Sequence, residues 1–355
     1  MKDDKKKLVL IDSNAIIHRA YHALPKTMAT RKGELTNVVY GYTTTLIKVI
    51  EDLKPDFIAA SFDVSKNTFR LAEYAEYKAH RVKADQELYD QIPRVRELLD
   101  SLNIPIYEME GFEADDVIGT ISSKFEIQNS KLETNSNIQN SKFPIHVYIV
   151  TGDKDAFQLV DDNIEIYDLK HGLSEAQIIN STVIRTLWNL DPTDFIDLKA
   201  LAGDPSDNIP GVPGIGNKTA TDLIIKFDTL EKLYESLEKN FQFSISNFQS
   251  ISNDSNFKSK CEQLGIKPRI VGLLIENKDQ AFLSQRLATI RKDVPIDFDL
   301  EKCRFGDYDK DKVRAFFEEM QFHSLLKRFG IEKSEELKTK QAAEHKKADN
   351  QLKLL

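Results

Sequence analysis

Four short apolar runs divide the first 153 residues: LVLID (8–12), FIAASFD (57–63), IPIY (104–107) and HVYIVTGD (146–153). Each is too short for a buried helix. The stretches between them carry helical spacing instead: Ser13 to about Ala23, 38–53 through Val39, Leu46, Ile47 and Ile50, and EADDVIGTISSKF (113–125). Strands alternating with helices predict an α/β core built on a parallel sheet. From about residue 181 the pattern is helical throughout. The expected organisation is an α/β core over 1–180, a helical region over 181–330 and a polar tail over 331–355. Two segments read as inserted solvent-exposed loops. Residues 126–142 repeat QNSK, and 240–260 are rich in Ser and Asn, so neither is composed to bury apolar surface.

The carboxylates fall where that sheet would place them together. Asp12, Asp63, Asp153 and Asp155 end or follow strands, and Glu113, Asp115 and Asp116 open a helix, where the dipole favours negative charge. Ligands of open parallel sheets bind beyond the carboxyl ends of the strands, so these seven acids converge on one edge. Asp204 and Asp207, in GDPSDN, add a second pair just before a Gly-rich turn. A single Asp of this kind is ordinarily a strand end or a cap. As a group they repel, by roughly 4 kcal/mol for two charges about 4 Å apart at an effective dielectric of 20. Hard divalent cations relieve this, and Mg²⁺ takes one or two carboxylates while keeping several waters. No His or Cys lies within these motifs, which disfavours zinc. A pair of such cations would hold an attacking water and a leaving oxygen, the requirement of phosphodiester hydrolysis.

Charge does not oppose a polyanionic substrate. The chain carries 49 Lys and Arg against 57 Asp and Glu, a net charge of −8. The nine acids just named more than account for that excess. No apolar run approaches the ~18 residues of a membrane span. The two cysteines, Cys261 and Cys303, form no CxxC, so neither a disulfide framework nor a zinc site is implied. Residues 208–220, NIPGVPGIGNKTA, have the form of a helix–hairpin–helix turn, extending to about 226. Gly211, Gly214 and Gly216 would let backbone approach a phosphate, and Lys218 adds a charge. In 66–83, Arg70, Tyr74, Tyr77 and Arg81 fall on one face of a predicted helix, with Lys78 adjacent. Bases interleaved with aromatics suit single-stranded nucleic acid, and a solvated basic face fits the same spacing.

Taken in order, LVLIDSNAIIHRAYHAL, FDVSKNTFRLAEYAEYKAHR, GFEADDVIG, IVTGDKDAFQLV and LAGDPSDNIPGVPGIGNKTA resemble the motifs of the 5′-nuclease domain of bacterial DNA polymerase I, the bacterial branch of the flap endonuclease family. The resemblance covers about 8–330, including VRAFFEEMQFHSLLKRFG (313–330), and excludes the two inserts. It implies a PIN-like 5′-nuclease core with a helical arch over about 64–90, followed by a helical region bearing the helix–hairpin–helix turn. It implies a structure-specific 5′-3′ nuclease that removes DNA 5′ flaps and RNA primers by a two-metal-ion mechanism, on flapped, nicked or primed DNA. The implied metal-site acids are Asp12, Asp63, Glu113, Asp115, Asp116, Asp153, Asp155, Asp204 and Asp207, with two or more Mg²⁺ that Mn²⁺ can replace. Lys78 and Arg81 match catalytic bases of the arch, and Arg19 and Arg70 match further basic positions. His18 stands where relatives often have Tyr. About 25 residues follow Gly330, too few for a further domain of on the order of 100 residues. The expectation is therefore a cytoplasmic, monomeric, stand-alone nuclease working beside a separately encoded polymerase. The alternatives are a non-catalytic DNA-junction binder and the N-terminal fragment of a full polymerase.

Overall fold

The computed structural model describes residues 5–65, 67–125, 144–171, 175–241 and 255–331. Its α/β part runs β1 (Lys6–Asp12), α1 (Ser13–Ala23), α2 (Asn37–Leu53), β2 (Phe57–Ser61), α3 (Phe69–Glu73), α4 (Gln86–Tyr89), α5 (Ile92–Ser101), β3 (Ile106–Tyr107), α6 (Ala114–Ser123), β4 (Ile145–Thr151), β5 (Ile164–His171) and β6 (Glu175–Ile179). The strands form one sheet in the order β3-β2-β1-β4-β5-β6. All pairings are parallel except β5 with β6, which is antiparallel. The four strands expected from the apolar runs are present. β5 and β6 were not expected, and β6 makes the sheet mixed rather than wholly parallel.

β1 is central and apolar on both faces, as a strand buried on both sides must be. Leu8 and Leu10 enter one core with α6, while Val9 and Ile11 enter the other with α1, α2 and α5. Each such side chain contributes about 1.5–3 kcal/mol through burial. The chain order reverses between β1 and β4, so the crevice beyond their carboxyl ends is the switch point where such folds bind ligands.

The helical part continues with α7 (Ser181–Trp188), α8 (Asp194–Ala202), α9 (Asn217–Phe227), α10 (Leu230–Phe241) and the helices Ser255–Leu264, Pro268–Glu276 and Lys278–Ala288. Its interior joins the core on the α6 side of the sheet. Two expected boundaries move. The helix Ser255–Leu264 begins inside the expected 240–260 insert and buries Phe257 there, so the insert ends earlier than expected. Residues 242–254 of that insert, all of 126–142 and the tail beyond Ile331 lie outside the described residues. The segment 313–331 packs on α2 and α5 through Val313, Phe317, Met320 and Leu325, so it belongs with the α/β core. Among the described residues no helix is long and apolar enough to cross a membrane. Cys261 and Cys303 are free and buried.

Candidate metal centre and nucleic-acid interface

The switch-point crevice is built by strand ends and helix starts. Asp12 ends β1 and caps α1, accepting from the Ala15 amide at 3.1 Å and from Thr151 Oγ1, at the end of β4, at 2.8 Å. The Thr151 hydroxyl also accepts from the Asp153 amide at 3.1 Å. Asp153 in turn accepts from the Asp155 amide at 2.9 Å and caps a short 3₁₀ turn (Lys154–Leu159). From the β2 side, Asp63 accepts from Asn14 Nδ2 at 2.6 Å and from the Ala114 amide, at the start of α6, at 2.7 Å. Burial pushes the Asp12 carboxyl up to about 6, with the charges of Asp63 and Asp153 adding to the rise. Asp115 is raised well above the carboxylate range by burial and then by Asp12 and Asp153. Four acids from four segments are therefore linked electrostatically through Asp12 and Asp153.

The remaining acids are matched by bases. Asp155 and Asp204 both accept from Lys199 Nζ of α8. Burial and the Asp153 charge still push Asp155 up to about 7. Burial acts the same way on Asp204, but Lys199 and Ser206 hold that carboxyl below its ordinary range. Glu113 accepts from Lys78 Nζ at 2.8 Å and from the Tyr77 hydroxyl at 3.1 Å. Asp207 accepts from the Tyr77 hydroxyl at 3.2 Å and from the Arg81 guanidinium. Asp204 and Asp207 sit on a loop closed by paired backbone bonds between Asp204 and Ile209. The Lys78 amide donates to the Asp207 carbonyl at 2.9 Å, and Asn208 Nδ2 to the Glu76 carbonyl at 2.7 Å, so this loop pins 74–78 against the crevice. Lys78 has φ 54°, a left-handed conformation uncommon for a side chain of this kind.

Three expectations need correction. The segment 66–83 is not one helix: α3 ends at Glu73 and a series of turns follows, because the chain bends to deliver Tyr77 and Lys78 to Glu113 and Asp207. Arg70 and Tyr77 are therefore not presented to solvent for DNA. Arg70 is 2% exposed and forks onto Asp116 at 2.7 and 2.8 Å. It also donates to the carbonyls of Leu287 and Thr289. Asp116, with no exposed surface, accepts in addition from the amides of Arg291 and Glu113. Its oxygens are committed to structure, and the pair fastens α3, α6 and the end of the helix Lys278–Ala288. Tyr74 keeps a partly exposed ring, with its hydroxyl on Glu76 at 3.0 Å.

The Gly-rich turn divides similarly. Gly211 is buried at φ 60°, and a Cβ there would stand 2.2 Å from the Gly203 nitrogen. Its amide donates to Ser284 Oγ at 3.0 Å, so Gly211 closes the hairpin rather than presenting itself to a phosphate. Gly214, Gly216 and Lys218 are exposed, and Gly216 precedes the first residue of α9, whose leading amides have no intrahelical partner. A cleft of about 1170 Å³ joins the two elements. It is lined by Arg19, Arg81, Asp153, Asp155, Lys199 and Asp204 together with Gly216 and Asn217. Arg19 lies across Gly152, where a Cβ would stand 2.6 Å from its guanidinium. Thr151 and Lys199 were not among the expected site residues. The signal for Lys199 was present: it is the one base in DFIDLKALA, five residues before Asp204.

Residues 7–188 match the family described as 5′-3′ exonuclease, N-terminal resolvase-like domain, and 190–311 match 5′-3′ exonuclease, C-terminal SAM fold. DNA polymerase I of Bacillus subtilis is 36% identical over 332 residues, 94% of this chain and 33% of the relative. That of Bacillus caldotenax is 35% identical over 334 residues, 94% of this chain and 33% of the relative. The chain thus spans about a third of the length of these relatives. In fold it is similar to T5 5′-exonuclease with bound zinc, at TM-score 0.57 and 18% identity, covering 89% of this chain and 98% of that one. It is also similar to the catalytic core of Rad2 in complex with DNA substrate, at TM-score 0.52 and 18% identity, covering 92% of each. With both halves matched end to end, the chain belongs to the 5′-3′ exonuclease family.

Proposed function

We propose that this chain is a divalent-metal-dependent, structure-specific 5′-nuclease that hydrolyses phosphodiester bonds at DNA 5′ flaps and in RNA primers. The observation that carries the reading is the cleft: Asp153 and Asp155, which follow β4, and Asp204 line the same cavity as the start of α9. The donor set fits Mg²⁺. It is all oxygen, and Asp12, Asp115 and Asp155 raise their proton affinity under burial and mutual repulsion that a cation would relieve. Among the described residues, no three acidic, His or Cys side chains form a ready-made cage. An ion that keeps much of its water and takes one or two carboxylates suits so open a set. Asp12, Asp115 and Asp153 would hold one cation, and Asp155 and Asp204 would serve a second. Cations held there would supply activation of a water and charge stabilisation at the leaving oxygen, the chemistry that leaves a 5′-phosphate on the product.

The protein's own groups do the rest. Lys78 and Arg81, held at the crevice by Glu113 and Asp207, would turn their charge to the scissile phosphate as negative charge builds there. The amides leading α9, with Lys218 beside them, would hold the duplex backbone one cleft-length away. Tyr77 and Arg70 keep the other groups in place. The bacteriophage T5 D15 flap endonuclease and the Rad2 catalytic core, both similar in fold, are each solved in complex with DNA, which supports a DNA partner here. Work beside a polymerase in the cytoplasm belongs to the same proposal. Incubation of the protein with a labelled 5′-flap substrate tests it: cleavage in Mg²⁺ that EDTA abolishes is expected, and binding without cleavage would favour the junction-binding alternative.

A further inference from the structure

Lys199 stands apart from the other bases of the cleft. Lys78 and Arg81 come from the turns of 74–83, where partial exposure lets them move. Lys199 comes from the middle of α8, with its side chain 14% exposed, and its ammonium is shared between Asp155 and Asp204, themselves 16% and 13% exposed. The two acids come from different halves of the chain, one following β4 and one following α8. A single positive centre therefore already sits between the two carboxylates, and the cleft opens beside it.

We propose that Lys199 is an internal counter-ion that competes with a divalent cation for Asp155 and Asp204, so that cation entry at this pair displaces the ammonium into the cleft. The inference rests on the divalent-cation reading above. A divalent cation and the ammonium would draw on the same carboxylate oxygens and repel each other at that range, so the ammonium's presence lowers the net gain from binding the cation. The lysine stem offers four rotatable bonds, so its head can leave while its α-carbon stays on α8. Before cations arrive, Lys199 offsets part of the charge of the buried pair and ties the segment after β4 to the 204–209 loop. After displacement the cleft, which Arg19 also lines, gains a free positive charge. Cation loading and positive charge facing a phosphate would then rise together, at a cost in resting cation affinity.

The test is calorimetric titration of the DNA-free protein with Ca²⁺, comparing wild type with Lys199→Met. Lys48→Met serves as a control for net charge, because Lys48 pairs with Asp52 on the exposed face of α2. Lys199→Met should bind Ca²⁺ at least about tenfold more tightly at one site, and its melting temperature should rise more with Ca²⁺ than the wild type's. Lys48→Met should match the wild type. If Lys199→Met does not fold, Lys199→Gln, which keeps a hydrogen-bond donor, is titrated in its place with the same expectation. Unchanged or weaker Ca²⁺ affinity overturns the proposal, including the case in which only DNA affinity falls and Lys199 is a phosphate anchor. Wild-type flap cleavage in Mg²⁺ separates the two failures. Cleavage with no gain in Ca²⁺ affinity sinks the counter-ion role alone, whereas no cleavage and no Ca²⁺ binding by either protein sinks the nuclease reading as well.

Discussion

The acid-lined crevice has two halves that read alike in sequence and differ in how their charge is held. Asp12, Asp63 and Asp153 are held by neutral donors: a threonine hydroxyl, an asparagine amide and backbone N–H groups. Glu113, Asp116, Asp155, Asp204 and Asp207 are each held by Lys or Arg. Neutral donors orient a carboxylate and leave its charge in place, so the first half is where added positive charge is most strongly drawn. Bases cancel most of the charge, four against five acids, so the second half also does mechanical work, joining 66–83, α6, α8 and the 204–209 loop. A change in the first half should therefore cost chemistry. In the second half the outcome depends on the group: the Arg70–Asp116 pair, buried away from the cleft, should cost fold, whereas Lys78 and Asp155, which face the crevice, should cost cleavage.

Arg70→Ala should show the largest loss of stability. It leaves Asp116 buried and charged with no cation, at a cost of about 3–5 kcal/mol. Urea unfolding monitored by fluorescence measures this, and a loss under 1 kcal/mol would mean that Asp116 is not held as described. Lys78→Ala comes next. Its charge matters most as charge builds on the phosphate, so single-turnover flap cleavage should slow by about a hundredfold. Affinity in Ca²⁺ should stay within a few-fold, and an equal loss in both would make Lys78 an anchor only.

A smaller effect tests the electrostatics with cations removed by EDTA. Asp155 holds its proton up to about 7 in the folded chain, against an ordinary value of 3.8. Folding therefore gains from protonation at low pH, and that gain is lost as pH rises toward and through 7. Wild type should lose on the order of 1 kcal/mol between pH 6 and pH 8, and Asp155→Asn should lose less. Equal losses in the two proteins would place the titration elsewhere. Lys218→Ala, outside both halves, should change least: DNA affinity falls a few-fold, its salt slope drops by about one, and cleavage at saturating DNA is unaltered. An unchanged slope would remove Lys218 from the phosphate contacts.

The sequence made the sheet edge legible because an apolar run ending in Asp carries both the strand and the position of its charge. LVLID and HVYIVTGD end in Asp12 and Asp153, which puts both on the edge beyond the strands' carboxyl ends; that β1 and β4 are neighbours comes from the pairing itself. IEIYDLKH did not announce β5, since its apolar residues alternate with charge and it pairs with a short antiparallel neighbour. The segment 66–83 was misread for a different reason. Its spacing does put Arg70, Tyr74, Tyr77 and Arg81 on one face of an ideal helix, but spacing cannot say whether a base faces water or a buried acid. Here Asp116, Glu113 and Asp207 supply the stronger partners, and the helix ends at Glu73 so that they can be reached. Gly211 and Gly216 show the same limit, one closing a packed hairpin and the other opening a helix toward the cleft.

The account stands on the carboxylates of the crevice carrying the cleavage chemistry, and Asp155→Ala with Asp153 intact tests that most directly. Lys199 keeps Asp204 as a partner, so the fold should survive, and the start of α9 is untouched, so DNA should still bind. The measurement pairs single-turnover flap cleavage in Mg²⁺ with flap binding in Ca²⁺. Cleavage slower by about a thousandfold, with binding equal to or tighter than wild type, is the predicted result. Near-normal cleavage by the variant would contradict the assignment of this crevice as the catalytic centre.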